Sequence, residues 1–191
     1  MSTTTVGARS DAIELLTSHH REVEQLWSRI QAAHERGAEV QQDEAQALIR
    51  LLSQHDAIET QLLYPELRKL GDQGREKSDH SLQEHQKVRD LLKEVDKGDV
   101  RDEATFRTLA ECMQEVQHHV QEEESQIFPM LRDGCSPERL MDLGEKMATA
   151  MKTAPTHPHP MTPDSKAGAT IAGAVSGVVD RAKDALRGGD R

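Results

Sequence analysis

The chain carries the same helix pair twice, and this repeat constrains its fold more than any other feature of the sequence. LTSHHREVEQLW in the first copy aligns with SLQEHQKVRDLL in the second, which matches His20 to His85. HDAIETQLLYPEL aligns in the same way with HVQEEESQIFPML, which matches His55 to His119. Two helix hairpins joined by short loops predict an antiparallel bundle in which equivalent positions meet around one axis.

Apolar residues recur with the helical period in four long segments, and no segment shows the alternation typical of strands. Asp11 and Glu14 resemble a capping box, which predicts the start of the first helix. Pro65 and Pro129 are expected to kink or end the second and fourth helices. The segments run over residues 11–37, 48–65, 82–98 and 106–129, and a short fifth helix is predicted over 136–151.

These patterns predict an all-α fold: an antiparallel up-down four-helix bundle, a short fifth helix and a flexible C-terminal tail. Residues 1–10 are expected to be disordered, and residues 11–151 form the bundle. Residues 152–191 form a linker rich in Pro, Gly and Ala, followed by a weak C-terminal helix.

Composition excludes several classes of function. A net charge of −10 and a pI near 5.5 argue against nucleic acid as a partner. No stretch approaches the roughly 18 apolar residues of a membrane span, and the N-terminus lacks a signal-peptide pattern. Two cysteines do not make a disulfide framework, so a cytoplasmic location is expected. No feature of the sequence specifies an oligomeric state.

Six ionisable or polar residues fall on helix faces that are otherwise apolar. His55 and Glu59 are four residues apart and share a face, as do His119 and Glu123. Burying such groups without partners costs about 2–7 kcal/mol each, so together they predict an organising partner such as a metal centre. The predicted ligands are His20, His55, Glu59, His85, His119 and Glu123.

Imidazole and carboxylate together suit iron, zinc and manganese. Six donors exceed what one tetrahedral zinc ion uses, whereas two metals bridged by both glutamates would use them all. The alternative is a metal-free bundle in which each core histidine has a hydrogen-bond partner. The repetition of the pattern in both halves favours the metal centre.

The order His, His-x-x-x-Glu, His, His-x-x-x-Glu, with LYPEL and IFPML after the glutamates, resembles the hemerythrin-like (HHE) family. HHVQEEESQIFP is particularly similar to that family's fourth helix, and the resemblance covers about residues 11–151. It implies two iron ions, often oxo-bridged when oxidised. It also implies that the six residues named above are iron ligands, with Glu59 and Glu123 as the bridging pair.

The sequence differs from the oxygen-carrying members of that family, which have a second histidine four residues from the first on the third helix. Ser81 and Arg89 stand at those positions here. The resemblance therefore implies a protein that binds, and turns over, a small ligand such as hydrogen peroxide, nitric oxide or dioxygen. A non-enzymatic module that binds or senses oxygen or iron is the alternative. A ferritin-like oxidase is disfavoured because that class uses Glu-x-x-His ligands.

Several residues near the six are expected to have other roles. Only one residue of each HH pair can point inward, so His19 and His118 are expected outside the site. Tyr64 is expected in the core or at its rim, because it points away from Glu59 on an ideal helix. Solvated or loosely placed side chains are expected for His80, Glu122, Glu124, His157 and His159, and a buried, reduced side chain for Cys112.

Overall fold

The computed structural model describes residues 10–158, and all regular secondary structure in this range is helical, with no strand. Helix α1 is Ala12–Glu35. Helix α2 is Gln42–Ile58, and it continues through a π-helical turn (Glu59–Leu63), one α-helical turn (Tyr64–Leu67) and a 3₁₀ turn (Arg68–Leu70). Helix α3 is Asp72–Lys97, and α4 is Glu103–Glu122. Helix α4 continues through a second π-helical turn (Glu123–Ile127) into Phe128–Gly134, and α5 is Pro137–Met151.

The four long helices form the predicted antiparallel bundle, and α5 packs against α1 and α2. The predicted capping box is present, since the Asp11 side chain accepts from the Glu14 N–H and the Glu14 side chain from the Asp11 N–H. Ser136 caps α5 as predicted, and its hydroxyl accepts from the Arg139 N–H. Both caps satisfy backbone donors that a helix start leaves unpaired.

Helix α3 begins about ten residues before its predicted first apolar residue. The first turns of α3 are polar and lack an apolar stripe, so the spacing of apolar residues did not predict them. Gly74 and Ser78 pack this segment against the end of α2, where the Ser78 hydroxyl donates to the carbonyls of Tyr64 and Gly74. A Cβ on Gly74 would lie 2.1 Å from the Leu67 carbonyl oxygen, so only glycine permits this close approach.

Two apolar clusters fill the bundle. One contains Trp27, Ile30, Leu48, Leu92 and Leu109, and the other contains Leu16, Leu63, Ile127, Leu131 and Leu140. The six predicted ligand residues form a polar layer between these clusters, and the core is therefore interrupted by charge-bearing groups at one level. The buried groups that most need hydrogen-bond or metal partners therefore lie where the four helices meet.

The first residues of the predicted tail pack against the bundle. Ala154, Thr156 and His157 are buried, and His157 Nδ1 lies 3.0 Å from Asp96 Oδ2. His159, the predicted weak C-terminal helix and all but residue 10 of the predicted disordered N-terminus lie outside the described residues. None of the helices within residues 10–158 combines the length and apolarity that crossing a bilayer requires.

Candidate metal centre

The structure brings all six residues of the polar layer together. Glu59 and Glu123 are fully buried, and the four histidines are between 2% and 6% exposed. One group of donors consists of His20, His55, Glu59 and Glu123, with donor atoms within 4.8 Å of one another. The second group meets the same criterion and consists of Glu59, His85 and His119.

Each glutamate contacts histidines of both groups. Glu59 Oε1 lies 2.9 Å from His55 Nε2, and Glu59 Oε2 lies 3.4 Å from His85 Nε2. Glu123 Oε2 lies 3.4 Å from His20 Nε2 and 3.6 Å from His119 Nε2. The two carboxylates thus connect the two groups in the way that bridging ligands connect two metal ions.

All four histidines direct Nε2 toward the polar layer, and three of them have a carboxylate at Nδ1. The distances are 2.8 Å from His20 to Glu124, 2.7 Å from His85 to Asp56 and 2.8 Å from His119 to Glu84. A carboxylate that accepts the Nδ1 proton fixes the tautomer in which the Nε2 lone pair is free. This arrangement accompanies metal-binding histidines and orients their rings.

His55 is the exception among the four. Its Nδ1 is buried and has no hydrogen-bond partner among the described residues, and the same holds for Nδ1 of His19. The two rings make an edge contact with centroids 5.9 Å apart. His19 therefore lies against the back of His55, outside the polar layer, as the repeat predicted.

Tyr64 is buried in the core, as expected, but its hydroxyl also reaches the polar layer, which the sequence did not indicate. Its hydroxyl is 2.9 Å from His85 Nε2 and 3.3 Å from Glu123 Oε1. On an ideal α-helix, residues five apart are separated by about 140° around the axis. The π-helical turn changes this, because the Tyr64 N–H bonds to the Glu59 carbonyl, which places the two residues on one face.

Burial and neighbouring charges shift the pKa values of residues in the polar layer. Burial and the negative charge of Glu123 raise the pKa of Glu59 well above its usual range. Burial opposes ionisation of Glu123 as well, but the charge of His119 and the contact with His20 lower its pKa. Burial and the charge of His20 hold the pKa of His55 well below its usual range. Without a cation, the layer therefore favours one protonated carboxyl group and neutral imidazole at His55.

Three buried carboxylate oxygens have no hydrogen-bond partner among the described residues: both oxygens of Glu59 and Oε2 of Glu123. An unsatisfied buried polar group costs about 1–3 kcal/mol, and more when it is charged. Metal ions bound to the layer would remove this cost. The donor set therefore fits a pair of cations.

A small cavity of about 30 Å³ adjoins the four histidines on the side of Val23 and Leu92. A water molecule needs about 10–15 Å³ on this measure, so the cavity admits a molecule of two or three heavy atoms at most. Valine and leucine side chains form nearly half of its lining. Three polar atoms of its lining residues have no hydrogen-bond partner among the described residues: Ser53 Oγ, Arg89 Nε and His55 Nδ1.

Arg89 is only 4% exposed, although it carries a charge. Its Nη1 donates to both oxygens of Asp56, at 2.7 and 2.9 Å. Asp56 in turn accepts from His85, so the guanidinium helps to position a histidine of the polar layer. Arg89 thus links the cavity to the site.

Sequence reasoning missed three acidic residues that contact the histidines. Glu124 was expected to be solvated, and Asp56 and Glu84 were not singled out. Each is adjacent in sequence to a residue of the polar layer, but acidic neighbours are common on these helices and give no specific signal. Cys112 is buried as expected, and burial raises the pKa of its thiol to about 12.

Comparison with known proteins agrees with this geometry. Residues 11–131 match the model of the family described as hemerythrin HHE cation binding domain. An uncharacterized hemerythrin-like protein of Schizosaccharomyces pombe is 29% identical over 136 residues, which cover 71% of this chain and 67% of the relative. The crystal structure of a hemerythrin HHE cation binding domain-containing protein from Mycobacterium kansasii is similar, with a TM-score of 0.59 and 26% identity. That likeness covers 75% of this chain and 86% of the other.

Proposed function

This chain belongs to the hemerythrin HHE cation-binding family, and from that premise we propose that it holds two iron ions in the polar layer. His20 and His55 would hold one ion, and His85 and His119 the other. Glu59 and Glu123 would bridge the pair. The observation that carries the proposal is that each glutamate contacts histidines of both groups.

The donor set by itself suits iron, zinc and manganese, since two bridging carboxylates and two imidazoles give each ion four donors. The resemblance to the hemerythrin-like family is what favours iron. The Tyr64 hydroxyl is a candidate seventh donor on the side of His85. Iron bound here would supply Lewis acidity and electron transfer to a small ligand. The protein's own contribution is to orient the histidines through Asp56, Glu84 and Glu124 and to exclude bulk water.

We propose that the ligand is hydrogen peroxide, bound in the small cavity and disproportionated to water and dioxygen. The cavity volume fits peroxide, dioxygen and nitric oxide alike, so size does not distinguish them. The unpaired Ser53 Oγ and Arg89 Nε favour a ligand that makes strong hydrogen bonds. Peroxide has an O–H donor and basic lone pairs, whereas dioxygen and nitric oxide have no donor and accept hydrogen bonds only weakly.

We propose that the reaction takes place in the cytoplasm. The two cysteines, Cys112 and Cys135, are free thiols, which suits a reducing compartment. Burial raises the pKa of both thiols, which keeps them in the less reactive protonated form.

The test is to measure the iron content and visible spectrum of the purified protein, and then oxygen release after addition of hydrogen peroxide. We expect two irons per chain and sustained release. His55→Ala and Glu123→Ala should abolish both, whereas His34→Gln, at an exposed site away from the layer, should change neither.

Different results would point to other functions. Two irons without peroxide turnover would favour the binding or sensing module and would contradict the peroxide proposal. A protein that cannot be loaded with iron would contradict the di-iron centre itself.

A further inference from the structure

A second group of imidazoles and carboxylates lies on the surface of the bundle, where α3 and α4 pack together. Each helix contributes a histidine and, four residues later, a glutamate, the same spacing that joins His55 to Glu59. We call this group the surface cluster, and its members are His80, Glu84, His118 and Glu122. Donor atoms of His80, Glu84 and Glu122 lie within 4.8 Å of one another.

The separations in the surface cluster are at the long end of the range of ion pairs in this protein. His80 Nε2 lies 3.3 Å from Glu122 and 3.5 Å from Glu84. His118 Nε2 lies 3.7 Å from Glu84 and 3.9 Å from Glu122. All four distances exceed the 2.7–2.9 Å typical of a charge-assisted hydrogen bond.

Exposed pairs on the same helices are shorter. Lys87 and Glu115 are 2.6 Å apart, and Lys93 and Asp90 are 2.8 Å apart. Lys97 and Glu94, also on α3, are 3.2 Å apart, so the surface cluster lies at the long end of the range found on these helices.

Donors arranged tetrahedrally at bonds of about 2.0–2.2 Å lie about 3.3–3.6 Å from one another. The two distances from His80 fall in this range, and the two from His118 are slightly longer. His80, Glu84 and Glu122 therefore surround a common centre, and a shift of His118 would add a fourth ligand.

Glu84 connects the surface cluster to the polar layer. Its Oε1 faces His80 and His118, while its Oε2 lies 2.8 Å from His119 Nδ1. The Glu84 side chain is only 14% exposed, whereas His80 is 49% exposed. The surface cluster is thus open to solvent on one side and lies one carboxylate away from a histidine of the buried site.

We propose that the surface cluster is an exchangeable binding site for one divalent transition-metal cation, separate from the polar layer. Two imidazoles and two carboxylates suit zinc, iron and manganese. Calcium and magnesium prefer shells made of oxygen atoms alone, so the two histidines select against them.

The test uses untagged, iron-loaded protein and zinc as the probe. Zinc binding is measured by equilibrium dialysis, with iron content followed in parallel and helix content checked by circular dichroism. The wild type is compared with the double variant His80→Gln/Glu122→Gln. His34→Gln is the matched control, because His34 is an exposed histidine that faces a single carboxylate, Glu103.

We expect about one zinc per chain in the wild type and the control, and at least tenfold weaker zinc binding in the double variant at unchanged iron content. Equal zinc affinity in the wild type and the double variant would overturn the proposal, as would a wild type that retains no zinc. If the polar layer took up no iron, the difference in bound zinc between the wild type and the double variant would still measure binding at the surface cluster. The two proposals therefore fail independently.

Discussion

Tyr64 and Phe128 occupy equivalent places in the two halves of the bundle, but only Tyr64 brings a polar atom into the polar layer. Each donates its backbone N–H to the carbonyl of a glutamate five residues earlier, across a π-helical turn. The Tyr64 hydroxyl lies 2.9 Å from His85 Nε2, whereas the Phe128 ring stacks on His20 with centroids 5.7 Å apart. The duplicated bundle therefore has two chemically different sides.

Tyr64→Phe makes the two sides alike and tests the role of the hydroxyl. We expect two irons per chain to be retained, because the other six donors are unchanged. The visible absorption of the iron-loaded protein should lose intensity, since a phenolate bound to ferric iron absorbs there. The hydroxyl would have only a packing role if the spectrum and peroxide turnover of the variant matched those of the wild type.

Glu59→Gln should have opposite effects on the metal-free and the iron-loaded protein. In the metal-free protein it removes a buried carboxyl group next to Glu123, so the free energy of unfolding should rise by about 1–3 kcal/mol. Iron content should fall below two per chain because a bridging donor is lost. Thermal unfolding of both forms, with the exposed Glu22→Gln as control, measures the difference. A metal-free variant less stable than wild type would contradict the assigned electrostatics.

Asp56→Asn should weaken iron binding on the side of His85. Asp56 accepts from His85 Nδ1 at 2.7 Å and also from Arg89, and an amide cannot accept both bonds as strongly. Loss of such an outer partner commonly reduces metal affinity about 10–100-fold. Competition with a chelator should therefore remove one iron sooner than the other. Asp90→Asn, at an exposed pair with Lys93, is the control and should match the wild type.

Ser53→Ala should reduce peroxide turnover without reducing stability. The Ser53 hydroxyl is buried and unpaired within the described residues, so its removal should leave the free energy of unfolding unchanged or raise it by up to about 1 kcal/mol. Turnover should fall because the cavity loses a hydrogen-bonding group for the ligand. Steady-state oxygen release and thermal unfolding measure the two effects. Unchanged turnover would remove Ser53 from the proposed ligand site.

The ion pair between Glu66 and Arg139 should make the docking of α5 dependent on pH. Two hydrogen bonds from Arg139, at 2.9 and 2.6 Å, lower the pKa of Glu66 from 4.5 to about 2. Because the folded-state pKa is depressed, this stabilisation is complete above about pH 4.5 and is lost as the pH falls toward 2.

Arg139→Gln should therefore lower the free energy of unfolding at pH 7 by about 1–2 kcal/mol, and by less at pH 3. Urea unfolding at the two pH values measures the difference. Arg132→Gln, at a longer pair with Asp11, should have a smaller effect at both pH values. An Arg139→Gln effect that is equal at pH 3 and pH 7 would contradict the pKa assignment.

The family and the helical bundle were predicted from the sequence, and both predictions were confirmed. Helix starts with side-chain caps, at Asp11 and Ser136, were located to the residue, because a cap is a local interaction between neighbours in sequence. The start of α3 was missed, because its polar first turns are held by packing against the end of α2. Tyr64 was correctly expected in the core, but the direction of its hydroxyl was missed, because the π-helical turn changes the rotation of the chain by one residue within an otherwise regular helix.

The sequence by itself determined which side chains share a helix face, since the helical period of 3.6 residues fixes that from spacing alone. The duplicated sequence then made His20 equivalent to His85 and His55 equivalent to His119. Only the tertiary structure decided which carboxylate meets which histidine, that Arg89 lies beside a cavity, and that Glu84 lies between the polar layer and the surface cluster. Such contacts depend on the rotation and axial offset of neighbouring helices, and the packing of the whole bundle sets these, so the period of a single helix leaves them undefined.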